Sequence, residues 1–137
     1  MPERSRILIA AVVDLLLVGL FVVIGRASHR EDQSAFLVTY WPFATGLAVG
    51  WVVSRAWRHP FALVHAGVPA WIGTVVVGML LRALVGQGVQ VAFVVVATIV
   101  VGGLLIGWRV LLVAVDRSVS RPAELPGPLP IPPRRRR

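Results

Sequence analysis

Between Ile7 and Ile24 the chain runs through eighteen residues whose apolar character is broken only by Asp14. Taken as a helix rising about 1.5 Å per residue, the run is about 27 Å long, close to the hydrocarbon thickness of a bilayer. A charge inside such a span costs on the order of 3 kcal/mol on insertion scales unless a partner offsets it. The rest of the chain must supply that partner. Helical spacing from Asp14 selects Ala10, Ala11, Leu17, Val18, Phe21 and Gly25, a face with small neighbours toward its start that is suited to packing against another helix.

Three further apolar runs follow. The sequence therefore predicts an all-α protein, a four-helix transmembrane bundle in one domain (1–116) with spans at about 7–24, 35–53, 68–85 and 89–115. Residues 117–137 read as a disordered basic tail, because six prolines lie between Arg121 and Arg134 and four arginines close the chain. Composition excludes the soluble alternatives. With 57% hydrophobic and 15% charged residues and a mean hydropathy of +0.81, a water-soluble domain of this size has no means of hiding its apolar surface. The first run also has the look of a secretion signal ending at Gly25-Arg26-Ala27, but it is longer than a signal's apolar core and more spans follow, which favours an uncleaved first helix.

Each later run carries its own packing marks. The second holds Trp41-Pro42, where the proline removes a backbone donor, and a Gly46-x-x-x-Gly50 pair. Phe61 to Pro69, interrupted by His65 and Gly67, reads as an interfacial entry to the third span, in which Thr74, Gly78 and Arg82 share one stripe. Gly86-Gln87-Gly88 is the shortest connection and makes the last two helices antiparallel neighbours. Gly102, Gly103 and Gly107 give the fourth span another close-packing face. The Gly46/Gly50 and Gly103/Gly107 faces are candidate surfaces for a homo-oligomer.

Arginine placement sets orientation. Arg4, Arg6, Arg55, Arg58, Arg117 and Arg121 fall on one side and Arg26 and Arg30 on the other, which puts both termini in the cytoplasm of a multi-pass cell-membrane protein. Trp51, Trp57, Trp71 and Trp108 all lie toward the inner boundary, where amphipathic rings collect. The net charge of +8 flanks the spans or crowds the end of the chain, which fits anionic lipid rather than nucleic acid. Arg134, Arg135, Arg136 and Arg137 are then headgroup contacts.

Counted from the cytoplasmic side, Asp14 and Arg109 lie at the same depth, roughly 9 to 10 Å in, and can pair. The pair is either a clamp between the first and last helices or a proton-linked switch. The clamp is favoured, since one acid and one base without a polar ladder make a poor relay. Arg82 lies toward the outer side with Arg26, His29 and Trp41 at a similar level. Together they outline an outward pocket for a carboxylate or phosphate. The plainer reading, which is favoured, is that Arg82 simply reaches for the outer headgroups.

Catalytic patterns are lacking. Ser28 and His29 are adjacent in sequence and so do not make a nucleophile and base, His59 and His65 have no helix-spaced acid between them for zinc, and Gly86-x-Gly88 is too short for a phosphate loop. No cofactor or metal is implied, and without cysteine there is neither disulfide nor thiolate chemistry.

One resemblance emerges from these residues as a set: Asp14; Gly25-Arg26 with Ser28-His29; Trp41-Pro42-Phe43; Gly67 and Trp71; Gly78 with Arg82; and Gly107-Trp108-Arg109. They resemble a bacterial family described as domain of unknown function 3054, over the chain as far as Val115. The resemblance implies a small polytopic membrane protein and treats Asp14, Arg26, His29, Arg82 and Arg109 as a group. It supplies no reaction or substrate.

The functional expectation is a non-enzymatic membrane module that binds or moves a small anionic or proton-linked solute. Its alternatives are a scaffold in a larger membrane complex and a lipid-modifying enzyme, the latter requiring Ser28 or His29 in a polar pocket.

Overall fold

In hydrocarbon no water takes up backbone N–H and C=O groups, so an apolar chain satisfies them internally as helix. A computed structural model describes residues 1–28 and 35–119. It contains α1 (Glu3–Ser28), α2 (Phe36–Ser54), α3 (Val68–Leu84) and α4 (Val91–Val119), and among the described residues there is no strand. The protein is all-α. All four helices are long and apolar enough to cross a membrane, α3 together with the π-helical turn Leu63–Gly67 that leads into it. Two helices run past the ends of their apolar stretches: α1 continues through Arg26, and α4 through Asp116 and Arg117. A helix already nucleated adds one hydrogen bond per residue, and the next proline, Pro122, stands beyond the end of α4.

The closest packing joins α2 to α3. A Cβ on Gly46 would stand 2.5 Å from the Gly73 carbonyl oxygen, and one on Gly73 would stand 2.6 Å from the Gly46 oxygen and 2.8 Å from the Gly50 Cα. The two backbones touch, and only hydrogen fits between them. The Gly46/Gly50 face is therefore packed against α3 of the same chain. The glycine spacing announces a close helix partner without saying whose it is. Gly103 and Gly107 differ, with nothing within 4 Å of a Cβ placed on either.

The core between the helices is aromatic and aliphatic. Phe21 of α1 meets Phe43 of α2 edge-on at 5.3 Å, with Leu47, Val101 and Leu105 buried in the same cluster. The Tyr40 hydroxyl donates to the Leu15 carbonyl at 3.1 Å, tying α2 to α1. Trp71 donates through its indole N–H to the Thr98 carbonyl at 2.9 Å, tying α3 to α4. Gly102 leaves room for that indole, since a Cβ there would stand 2.9 Å from the ring nitrogen. Leu16, Leu37, Val53, Leu80, Ile99 and Leu111 point outward, a surface suited to lipid rather than water.

Pro42 has a specific consequence. Without an N–H it leaves the Val38 carbonyl without its helical donor, and the Gln87 side-chain amide fills the place at 2.9 Å. Gln87 is delivered there by the end of α3. Gly86 turns left-handed (φ +71°), the Gly86 N–H bonds the Ala83 carbonyl, and the Gln87 N–H bonds the Arg82 carbonyl at 3.0 Å. This is a Schellman end, in which glycine adopts the conformation other residues avoid.

Candidate functional site

Two polar sites lie at opposite ends of the bundle. The first, nearer Met1, is built around Asp14. Ala10 and Val18, one turn to either side of it on α1, are buried, so the carboxylate points inward and is itself fully buried. Arg109 of α4, also fully buried, grips it with both terminal nitrogens, Nη1 to Oδ1 at 2.8 Å and Nη2 to Oδ2 at 2.7 Å. The indole N–H of Trp108 donates to Oδ1 and that of Trp51, on α2, to Oδ2, both at 2.9 Å. Two carboxylate oxygens offer about four acceptor positions. All are taken.

The guanidinium is equally confined. Its Nε donates to the Pro60 carbonyl at 3.2 Å and its Nη1 also to the Leu105 carbonyl at 2.8 Å, while the Trp108 ring lies 4.5 Å from its carbon. Gly67, in the π-helical turn, makes this possible, because a Cβ there would stand 3.0 Å from the Arg109 Cδ. The turn arises where the Ala62 carbonyl accepts from both Ala66 and Gly67 just ahead of Pro69, which has no N–H to give. Asp14 and Arg109 are thus brought together as a knot that ties α1, α2 and α4 to the chain before α3.

Of the four tryptophans that the sequence sets toward the inner boundary, three use their indole N–H inside the bundle. Trp51 and Trp108 turn inward to Asp14 and Trp71 to Thr98, leaving Trp57 exposed. Half-buried indoles carry one N–H that needs an acceptor, and here a carboxylate and a carbonyl provide it. The two indole donors to Asp14 are the functional partners sequence reasoning misses. The only available signal was the adjacency of Trp108 to Arg109.

The second site is a crevice of about 460 Å³ at the other end, bordered by α1, α2, α3 and α4. Arg26, nearly buried at 8% exposure, and Arg82 both line it. Arg26 Nη1 donates to the Thr39 hydroxyl at 2.7 Å. Arg82 Nη1 donates to the Gln87 Oε1 at 2.9 Å, and the guanidinium lies 5.0 Å from the Phe93 ring and 5.8 Å from that of Phe43. Gln87 thus joins the α2 carbonyl exposed by Pro42 to the Arg82 side chain. Trp41 is not among the walls. It is 40% exposed on another face of α2, and Phe43, two residues and about 200° further round the helix, takes the place the sequence gives it. His29 and Arg134 to Arg137 lie outside the described residues. His59 and His65 stand 6.2 Å apart ring to ring, and among the described residues no group of three His, Cys, Asp or Glu is placed to hold a metal.

Four membrane-length helices and two polar sites set among them fit a multi-pass integral membrane protein. A family model described as a protein of unknown function, DUF3054, matches residues 11–112, and the chain belongs to that family. No curated protein and no solved structure matches it. The matched stretch contains Asp14, Arg26, Arg82 and Arg109.

Proposed function

We propose that the protein is a non-enzymatic membrane module that binds a small anion in the crevice, with Arg26 and Arg82 as its cationic walls. The observation that carries this reading is that two guanidinium groups from different helices, Arg26 of α1 and Arg82 of α3, border one open space. Guanidinium pairs suit carboxylate and phosphate because their N–H groups form planar forks. Asp14 and Arg109 take no part in binding. An acid that handles protons must exchange partners with water, and this carboxylate is enclosed by donors already engaged. The clamp is the better reading of that pair, and binding a better reading of the molecule than carriage across it. With both termini in the cytoplasm, the crevice opens toward the outer face.

Butyl phosphate titrated into protein held in phosphatidylcholine nanodiscs tests this. We expect a dissociation constant on the order of 1 mM, weakened at least about tenfold in Arg82→Gln and in Arg26→Gln, as loss of one charged pair worth about 1.4 kcal/mol would give. Equal binding by wild type and both variants contradicts the reading. Because the chain contains no cysteine, orientation can be read from single introduced thiols. An impermeant maleimide added to intact cells should label Gln90→Cys and spare Ser118→Cys.

A further inference from the structure

A second cleft, of about 400 Å³, lies at the end of the bundle nearer Met1 and shares no residue with the crevice. Its lining includes Glu3 and Arg6 of α1 and Arg58 to Ala62 of the connection between α2 and α3. The Asp14–Arg109 knot holds that connection in place. The buried Pro60 gives its carbonyl to Arg109 Nε at 3.2 Å, and Phe61 meets the Trp108 ring edge-on at 6.0 Å. The connection also closes turns of its own, the His59 N–H on the Ala56 carbonyl at 3.1 Å and the Ala62 N–H on the His59 carbonyl at 3.0 Å. The Arg6 guanidinium carbon lies 5.3 Å from the centre of the Phe61 ring, which steers it over the cleft. The walls therefore stand in position without a ligand, and little ordering is left for a ligand to impose.

The lining has the chemistry of a phosphodiester site. Arg6 and Arg58 offer guanidinium forks of the kind that suit phosphate oxygens, and among the described residues neither is paired with a carboxylate. Two arginines against one glutamate leave a side-chain charge of +1 with His59 neutral, which matches the single negative charge of a phosphodiester. The Glu3 carboxylate accepts hydrogen bonds, which a glycerol head can donate and a choline head cannot. The cleft also lies at the depth of lipid heads. The span Glu3–Ala27 begins at one of its walls and the span Leu63–Leu84 begins one residue past another, and just inside them Leu8 and Val64 are 64% and 66% exposed. We propose that this cleft holds the head of an anionic phospholipid of the glycerol type, its phosphodiester on Arg6 and Arg58 and its hydroxyl on Glu3, with the acyl chains in the surrounding bilayer. Both arginines are exposed, so water and salt weaken their hold on a dissolved ion. A membrane presents its heads at that depth in high concentration, which makes lipid, not free phosphate, the source.

The test is native mass spectrometry of the full-length protein, released from mild detergent that contains equimolar phosphatidylglycerol and phosphatidylcholine with the same acyl chains. Phosphatidylglycerol should be retained at least about fivefold over phosphatidylcholine, and Arg6→Gln and Arg58→Gln should each lower its retention about fivefold, as loss of one arginine's attraction to an anionic head would give. Arg4→Gln and Arg117→Gln, also exposed at this end of the bundle but outside the cleft, should change retention by less than about twofold. Equal losses in all four variants mean diffuse surface charge and overturn the site. Equal retention of the two lipids overturns the choice of head, and displacement of phosphatidylglycerol by about 1 mM glycerol phosphate overturns lipid as the source. Arg6 and Arg58 lie on separate segments, so one variant decides the matter if the other does not fold. Because the cleft and the crevice have no residue in common, failure here leaves the anion-binding reading of the crevice standing.

Discussion

Arg109 and Arg82 are the same residue type on adjacent helices, yet one is absorbed by the structure and the other borders open space. Arg109 is fully buried against the one acid inside a span, its N–H groups directed at Asp14 and two backbone carbonyls. Arg82 lines the crevice, donating to the Gln87 amide with the rings of Phe43 and Phe93 beside it. The difference teaches that a charge within an apolar chain is not in itself a sign of activity. A guanidinium matched by a carboxylate whose remaining positions are filled becomes a fastener. One that lines a cavity is placed to meet whatever enters it.

If that contrast holds, breaking the fastener should harm stability most. Asp14→Asn leaves Arg109 buried without its counter-charge and should destabilise the protein by about 3–5 kcal/mol, measured by reversible denaturant unfolding in mild detergent. The double replacement Asp14→Leu with Arg109→Met should be less damaging than either single change, because no uncompensated charge remains. Next in size is Gly73→Ala, which forces α2 and α3 apart and should cost about 1–3 kcal/mol in the same assay. Trp108→Phe and Trp51→Phe each remove one hydrogen bond to a charged oxygen, worth about 1.5–3 kcal/mol, but the Arg109 fork keeps the carboxylate paired, so the lower end is expected. Smallest is Gln87→Leu, about 1 kcal/mol from the uncovered Val38 carbonyl. Its sharper effect is to release Arg82 from its position, and butyl phosphate affinity should fall more than stability does.

How much of this the sequence discloses depends on the kind of interaction. Span number and helix class follow from apolar run length, since one lipid-compatible backbone conformation serves every run. The common depth of Asp14 and Arg109 follows from counting residues at a fixed rise, and so does the shared level of Arg26 and Arg82. Rotation about each helix axis is less readable. Trp41 and Phe43 differ by two positions, and only packing against α1 and α3 decides that Phe43 faces the crevice. The destination of Gly46 and Gly50 is similarly hidden, because the pattern is the same for a helix of the same chain and for one of another copy. Donors filling single acceptors are hardest to foresee. Pro42 announces an uncovered carbonyl at Val38, but finding Gln87 as its partner requires the Schellman turn that brings residue 87 back toward α2.

The separation of the two sites is tested most directly by the rise in melting temperature that saturating butyl phosphate produces in wild type, Arg82→Gln and Trp108→Phe. A ligand that binds only the folded state raises its stability by an amount set by concentration over dissociation constant. The account predicts that Arg82→Gln loses the rise, whereas Trp108→Phe, melting lower without ligand, keeps it in full. A rise that survives in Arg82→Gln, or disappears in Trp108→Phe, contradicts the division of the molecule into a fastened end and a binding end.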